Sequence, residues 1–181
     1  METLKSLRTV GEEIELNGES LTIPQMVAVA NLDTRVASSD KVRELLQENR
    51  TFLEKKLEEK CIIYGVNTGF GGSADVRSGN LVQVQKALLM HLNAGFGDTL
   101  DSGVVRAVMV TRANSLCKGL SGVRPEVLDC LLFMINKGII PVVPKRGSIS
   151  ASGDLMPNSY IASCMMGRQD ARAVYKGKVM T

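Results

Sequence analysis

Residues 64–79 read YGVNTGFGGSADVRSG, and the glycines at 65, 69, 71, 72 and 79 make this the stretch that most limits the fold. Glycine loses more backbone freedom on ordering than any other residue, so this density rules out a helix or strand interior and predicts a loop. The flanking segments must then supply the core. Upstream, Thr22-Ile23-Pro24-Gln25 predicts a capping box, with Thr22 as N-cap, Gln25 reaching back to it, and Pro24 in a first turn where its missing N–H costs little. From Asp40 to about Lys60, Val42, Leu45, Leu46, Phe52, Leu53 and Leu57 recur at helical spacing, while Glu and Lys fill the other face.

Downstream of the loop, helical spacing resumes at Leu81, Val82, Val84, Leu88, Leu89 and Leu92 and is expected to end at Gly95. It returns at Val104, Val105, Val108 and Met109 and runs to the Cys117-Lys118-Gly119 stop. Pro125 opens a further helix that turns Val127, Leu128, Leu131, Leu132 and Ile135 inward and breaks at Gly138. Ile139 to Pro144 reads as extended, because each proline disfavours helical geometry in the residue before it. A last helix is expected from near Gly153-Asp154 through Met156, Tyr160, Ile161 and Cys164 to Gly167, followed by a short extended tail, VYKGKVMT. The expectation is one mainly α domain over residues 1–181 with little strand and two special loops, at about 61–79 and about 145–155.

Composition narrows the function classes. A hydrophobic share of 44% and a charged share of 23% are those of a globular chain. A net charge of +3, without a block of like charge, and an aromatic share of 4% argue against nucleic acid as a partner. The longest apolar runs, such as LLFMI at 131–135, are far short of a bilayer span, and the acidic N-terminal stretch METLKSLRTVGEEIELNGES has no continuous apolar core. Cysteines 61, 117, 130 and 164 form no CxxC and sit among apolar residues, which predicts reduced thiols, no disulfide framework and no metal site. A cytoplasmic protein without a membrane partner is the expectation.

The second special loop contains GSISASGDLM, residues 147–156. A turn and cap is the plain reading of Ser-Gly-Asp. The Gly-rich loop matches neither GxxxxGK[ST] nor GxGxxG after a strand, Ser152 is not in a GxSxG elbow, and a single histidine leaves no self-contained Ser-His-Asp triad. A resemblance accounts for both loops together. Ala151-Ser152-Gly153 within GSISASGDL, the following PxSYIA, YGVNTGFGG upstream, VRAVMVTRANSL and GVRPEVL resemble the aromatic amino-acid ammonia-lyase and aminomutase family, over roughly residues 20–181.

That resemblance implies a fold, a cofactor and roles. The fold would be the N-terminal helical domain of the ammonia-lyases, with the Gly-rich loop as a lid. In the family the Ala-Ser-Gly tripeptide, here Ala151, Ser152 and Gly153, cyclises with loss of water to a methylideneimidazolone (MIO), an electrophile that no ordinary side chain supplies; no metal is involved. Only small residues with a permissive glycine allow that backbone compression. Tyr64 matches the lid tyrosine that removes a proton from the substrate β-carbon, and ammonia then leaves to give an aryl acrylate. In an aminomutase the ammonia adds back at the β-carbon.

Phe70, Gly71, His91, Leu92 and Leu155 match positions near the substrate. A His-Leu pair at 91 and 92 resembles the tyrosine-using bacterial enzymes, whereas GFGGSADVR resembles fungal phenylalanine lyases and plant-type aminomutases. An imidazole hydrogen-bonded to a phenol would be left unmet by phenylalanine, at about 1–3 kcal/mol, so tyrosine is the expected substrate. A lone histidine on an apolar helix face is, on its own, more often a core residue. Two departures stand out: Asn158, where the family usually has leucine, and the length. The resemblance implies a central helical bundle, absent here, and active sites assembled from several subunits of a homotetramer. This chain is therefore expected, as an N-terminal piece or subunit, to need further chain to be active; an inactive fragment and a non-catalytic interaction subunit of the same fold are the other readings.

Overall fold

The computed structural model describes residues 13–75, 80–149, 153 and 155–181. The capping box forms as the sequence requires: Gln25 N–H donates to Thr22 Oγ1 at 3.4 Å, and Thr22 N–H donates to Gln25 Oε1 at 2.9 Å. These bonds satisfy donors that the start of helix α1 (Ile23–Asn31) would otherwise leave open. The other described helices are α2 (Asp40–Glu58), α3 (Leu81–Leu92), α4 (Ser102–Leu116), α5 (Pro125–Lys137) and α6 (Leu155–Met165). The mainly α expectation holds, and the strands are short.

Helix α4 is the centre of the core. Asp101 caps it by accepting Gly103 N–H at 2.8 Å, and it packs against α1 on one side and α5 on the other. Val105, Met109, Val110 and Ala113 of α4 meet Val29 of α1, Leu46 of α2 and Leu128, Leu131 and Ile135 of α5 in one buried cluster. Each fully buried aliphatic side chain of this kind contributes about 1.5–3 kcal/mol. Arg106 is buried in the same helix and pairs with Asp33, in the turn after α1. Helix α5 stops where Gly138 takes φ 66°, and Ile139 N–H reaches back to Met134 O at 2.9 Å, a cap that needs a residue at ease in the left-handed region.

Strands β1 (Ile14–Leu16) and β2 (Val36–Ser38) pair in parallel. Asn136 of α5 fixes that pair to the core by accepting Val36 N–H at 2.9 Å and donating to Val36 O at 2.8 Å. Strand β3 (Phe96–Thr99) runs antiparallel to β5 (Pro144–Arg146), while β4 (Ile140–Pro141), β6 (Ala173–Tyr175) and β7 (Lys178–Met180) form an antiparallel sheet in the order β4-β6-β7. The expected extended tail is thus a hairpin. Lys176 and Gly177 turn it with φ of 49° and 75°, the paired positive angles that match strand twist.

One boundary differs from the sequence expectation. Helix α3 ends at Leu92 rather than Gly95, because Asn93 leaves helical geometry and a three-residue connection, 93–95, leads into β3. Although α3 is mostly apolar, none of its residues is buried; its main packing partner among the described elements is α6, and Val82 and Met90 remain exposed. No described helix is long and apolar enough to cross a membrane. The four cysteines are free thiols.

Candidate active site

The Gly-rich loop is built by short side chains that bond to nearby backbone. Beyond α2, Lys60 takes φ 60° and the chain reverses. Asn67 accepts Ile63 N–H at 2.8 Å and donates to Cys61 O at 2.8 Å, closing the base of the loop. Thr68, only 2% exposed, accepts Gly65 N–H at 3.1 Å and donates to Gly69 O at 2.8 Å, so its buried hydroxyl is satisfied. A side chain at Gly69 would place its Cβ 2.3 Å from Ser73 O, which explains a glycine there without reference to φ.

This scaffold turns Tyr64 outward, 64% exposed. Its hydroxyl accepts Gly71 N–H at 3.1 Å, and its ring meets Phe70 edge to face, with centroids 6.1 Å apart and planes at 73°. Tyr64, Phe70 and Gly71 therefore come together in a single surface turn.

A second group forms where α3 meets α6. His91 lies exposed in the last turn of α3 and makes no hydrogen bond to a described residue, and Leu92 beside it is half-buried. The core-residue reading of His91 is thereby removed. Just beyond, Tyr160 of α6 accepts Gly95 N–H at 3.1 Å, and Ser159, which donates its single proton to Met156 O at 2.7 Å, lies 3.3 Å from Asn93 Oδ1. Gly95 is pressed so closely that a Cβ would fall 2.8 Å from Pro144 Cγ and 3.0 Å from Met156 Sδ. Gly147, at φ 123°, would place a Cβ 2.8 Å from Gly95 Cα.

The consequence concerns residues 148–154. Both flanks of that loop, β5 with Gly147 on one side and the first turns of α6 on the other, rest on the segment that follows His91 and Leu92. Leu155, the first residue of α6, is half-exposed beside the loop. Ala151 and Ser152 lie outside the described residues. Gly153 is exposed, and a Cβ there would meet nothing within 4 Å, so space does not require a glycine at that position. Among the described residues no hydrogen bond or ring contact joins Tyr64 to His91 or Leu92, and no cluster of His, Cys, Asp or Glu is placed to hold a metal.

Asn158 does not enter a dry core. It is half-buried and lines an open groove of about 390 Å³ with Met26, Val108, Thr111, Arg112 and Ser115, between α1, α4 and α6. Asn67, Thr68, Asn93 and Tyr160 are the positions that sequence reasoning did not single out. Small polar residues beside glycines are the signal that could have marked Asn67, Thr68 and Asn93; no spacing marks Tyr160.

The sequence profile of the family described as aromatic amino acid lyase matches residues 21–181. A histidine ammonia-lyase 2 of Fusobacterium nucleatum is 39% identical over 170 residues, covering 93% of this chain and 33% of the relative. A phenylalanine ammonia-lyase of Rhodotorula mucilaginosa is 41% identical over 186 residues, covering 94% and 26%. The crystal structure of a tyrosine aminomutase from Streptomyces globisporus superposes with a TM-score of 0.85 at 32% identity, covering 93% of this chain and 32% of that one. The chain spans about a third or less of the length of the relatives it matches.

Proposed function

Because the chain belongs to the aromatic amino acid lyase family, we propose that it supplies one part of an active site that eliminates ammonia from an aromatic L-amino acid, with tyrosine favoured, to give an aryl acrylate. The observation that carries this reading is the seating of both flanks of loop 148–154 on the segment directly after His91 and Leu92. A pocket for an aryl ring and the tripeptide that would receive the amine then share one scaffold.

The loop between β5 and α6 would hold the methylideneimidazolone, formed from Ala151, Ser152 and Gly153. Gly153 fits that use, since neighbouring atoms leave room for a side chain and the glycine is better explained by a backbone nitrogen that must approach a carbonyl. When present, the group supplies an electrophilic methylene for the substrate amine.

The chain's own residues do the rest. Tyr64 takes the β-proton from an exposed turn that can approach a substrate, with the Gly71 N–H offering a donor to its oxygen throughout the transfer. Phe70 holds the Tyr64 ring edge-on and, with Gly71, Leu92 and Leu155, contributes apolar and backbone wall. His91, without a described partner, meets the phenol of tyrosine. The exposed apolar residues Val82, Met90, Phe96, Ile149 and Leu155 would be covered by further helical chain or by other subunits of a homotetramer, which also supply the groups that bind the substrate carboxylate. Free thiols, none of them fully exposed, support a cytoplasmic setting.

The test is direct. The full chain, with any polypeptide that co-purifies, is incubated with L-tyrosine and L-phenylalanine while ammonia and aryl acrylate are measured. Equal amounts of both products, with tyrosine turned over faster, support the reading; neither product in any assembly contradicts it. Similarity to the tyrosine aminomutase favours a second outcome, a β-amino acid released in place of the acrylate. A non-catalytic interaction subunit would bind its partner unchanged when Ser152 is replaced by alanine and would show no turnover before or after.

A further inference from the structure

The segment Asn93-Ala94-Gly95-Phe96 is a single anchor for everything that brackets the tripeptide. On one side, Phe96 pairs with Arg146 across β3 and β5, Leu100 N–H donates to Val143 O at 2.8 Å, and Gly95 lies against Gly147 with no space for a Cβ. On the other, Tyr160 closes onto Gly95, its hydroxyl accepting the N–H at 3.1 Å and lying 3.5 Å from the carbonyl oxygen, while Ser159 reaches Asn93. Ser159 is 2% exposed and gives its proton to Met156 O at 2.7 Å, so its 3.3 Å approach to Asn93 Oδ1 is a packed contact made out of water.

We propose that Tyr160 is a positioning residue for ring closure at residues 151–153: through Gly95 it fixes where α6 begins relative to β5, and so how closely the two ends of the loop that carries the tripeptide are held. This rests on the tripeptide reading under Proposed function. The step to be positioned balances without any outside reagent. The Gly153 nitrogen bonds to the Ala151 carbonyl carbon; that carbonyl oxygen leaves as water with the Gly153 and Ser152 amide hydrogens. The Ser152 hydroxyl then leaves as a second water with the Ser152 α-hydrogen. Nothing is oxidised or reduced.

A backbone nitrogen attacks a carbonyl two residues earlier only when the ends of the loop are held close, which is a proximity effect and is lost when one end gains freedom. Tyr160→Phe keeps the ring and its packing and removes the hydroxyl alone. Loss of one hydrogen bond of ordinary strength corresponds to a rate reduced by about fivefold.

The experiment follows the mass of freshly synthesised full-length chain over time, together with its Tm, for the wild type, Tyr160→Phe and Asn136→Ala. The last variant removes two bonds to Val36, of 2.9 and 2.8 Å, in a part of the fold remote from the loop. The expected result is slower loss of two waters in Tyr160→Phe, with the wild-type rate in Asn136→Ala despite its lower Tm. An unchanged rate in Tyr160→Phe overturns the proposal, as does slowing of both variants in proportion to lost Tm, which would make Tyr160 merely structural. A wild-type chain that never loses water overturns the tripeptide reading itself, and this proposal with it.

Discussion

The backbone N–H of Gly71 donates to the hydroxyl of Tyr64 across 3.1 Å, tying the phenol to its own loop while leaving the ring at the surface. The bond spans seven residues and depends on Gly71 adopting φ 56°, so one glycine both shapes the turn and orients the side chain. A residue held this way is available to a substrate without being part of the core.

Tyr64→Phe should therefore abolish most turnover and leave the fold intact. Removing a positioned general base costs about 10²- to 10⁴-fold, and the edge-to-face contact with Phe70 survives the change. Steady-state rates and circular dichroism on the same preparation check this; a loss of activity matched by a loss of helical signal would mean that the hydroxyl is structural.

His91→Phe should move the substrate ratio. An unmet hydrogen-bonding partner costs about 1–3 kcal/mol, so tyrosine preference over phenylalanine should fall by roughly 5- to 150-fold in kcat/KM. Because His91 is exposed, the melting temperature should hardly change. An unaltered ratio would remove His91 from the pocket.

Thr22→Ala should destabilise the chain by about 1 kcal/mol, since it removes the oxygen that accepts Gln25 N–H at the start of α1. Urea titration measures this. Gln25→Ala should cost a similar amount, and the double variant less than the sum, because the two side chains satisfy each other's backbone.

Burial pushes the Cys117 thiol up to about 11, and that of Cys164 likewise to about 11. Both should resist alkylation at pH 8 in the native state and react quickly in denaturant, because the thiolate is the nucleophile and burial disfavours it. The native chain retains these protons over a range where the unfolded chain loses them, so stability should fall as pH rises from the ordinary thiol value of 9.0 toward about 11. Equal native and denatured labelling of Cys117 would contradict its burial.

Much of the fold was legible because local rules and tertiary packing agree. The Thr22–Gln25 box, the Pro125 start and Gly138 stop of α5, and a Gly-rich stretch that over its described residues holds no regular element beyond one short 3-10 turn, Gly71–Ser73, all follow from backbone chemistry that needs few neighbours. The strands were not legible: β3 and β5 are three or four residues long and are defined by pairing partners far along the chain, Phe96 with Arg146 and Thr99 with Pro144. Helix α3 is expected to run to Gly95 because the apolar pattern gives no sign that Asn93 ends it and that β3 follows from Phe96. At the candidate site, residue identities could be read from motifs, but the bond from Tyr160 to Gly95 and the contact of Ser159 with Asn93 join positions 65 and 66 apart and leave no periodic trace. Asn158 looked misplaced in sequence only because the open groove beside it was invisible there.

The account depends most on what the backbone does at residues 151–153. Proteolysis of the purified chain, followed by mass measurement of the fragment containing residues 147–156, tests it directly. The account predicts a fragment lighter than its sequence by two waters, with the deficit abolished in Ser152→Ala. A fragment of full sequence mass, from an assembly that is otherwise folded and complete, would contradict it.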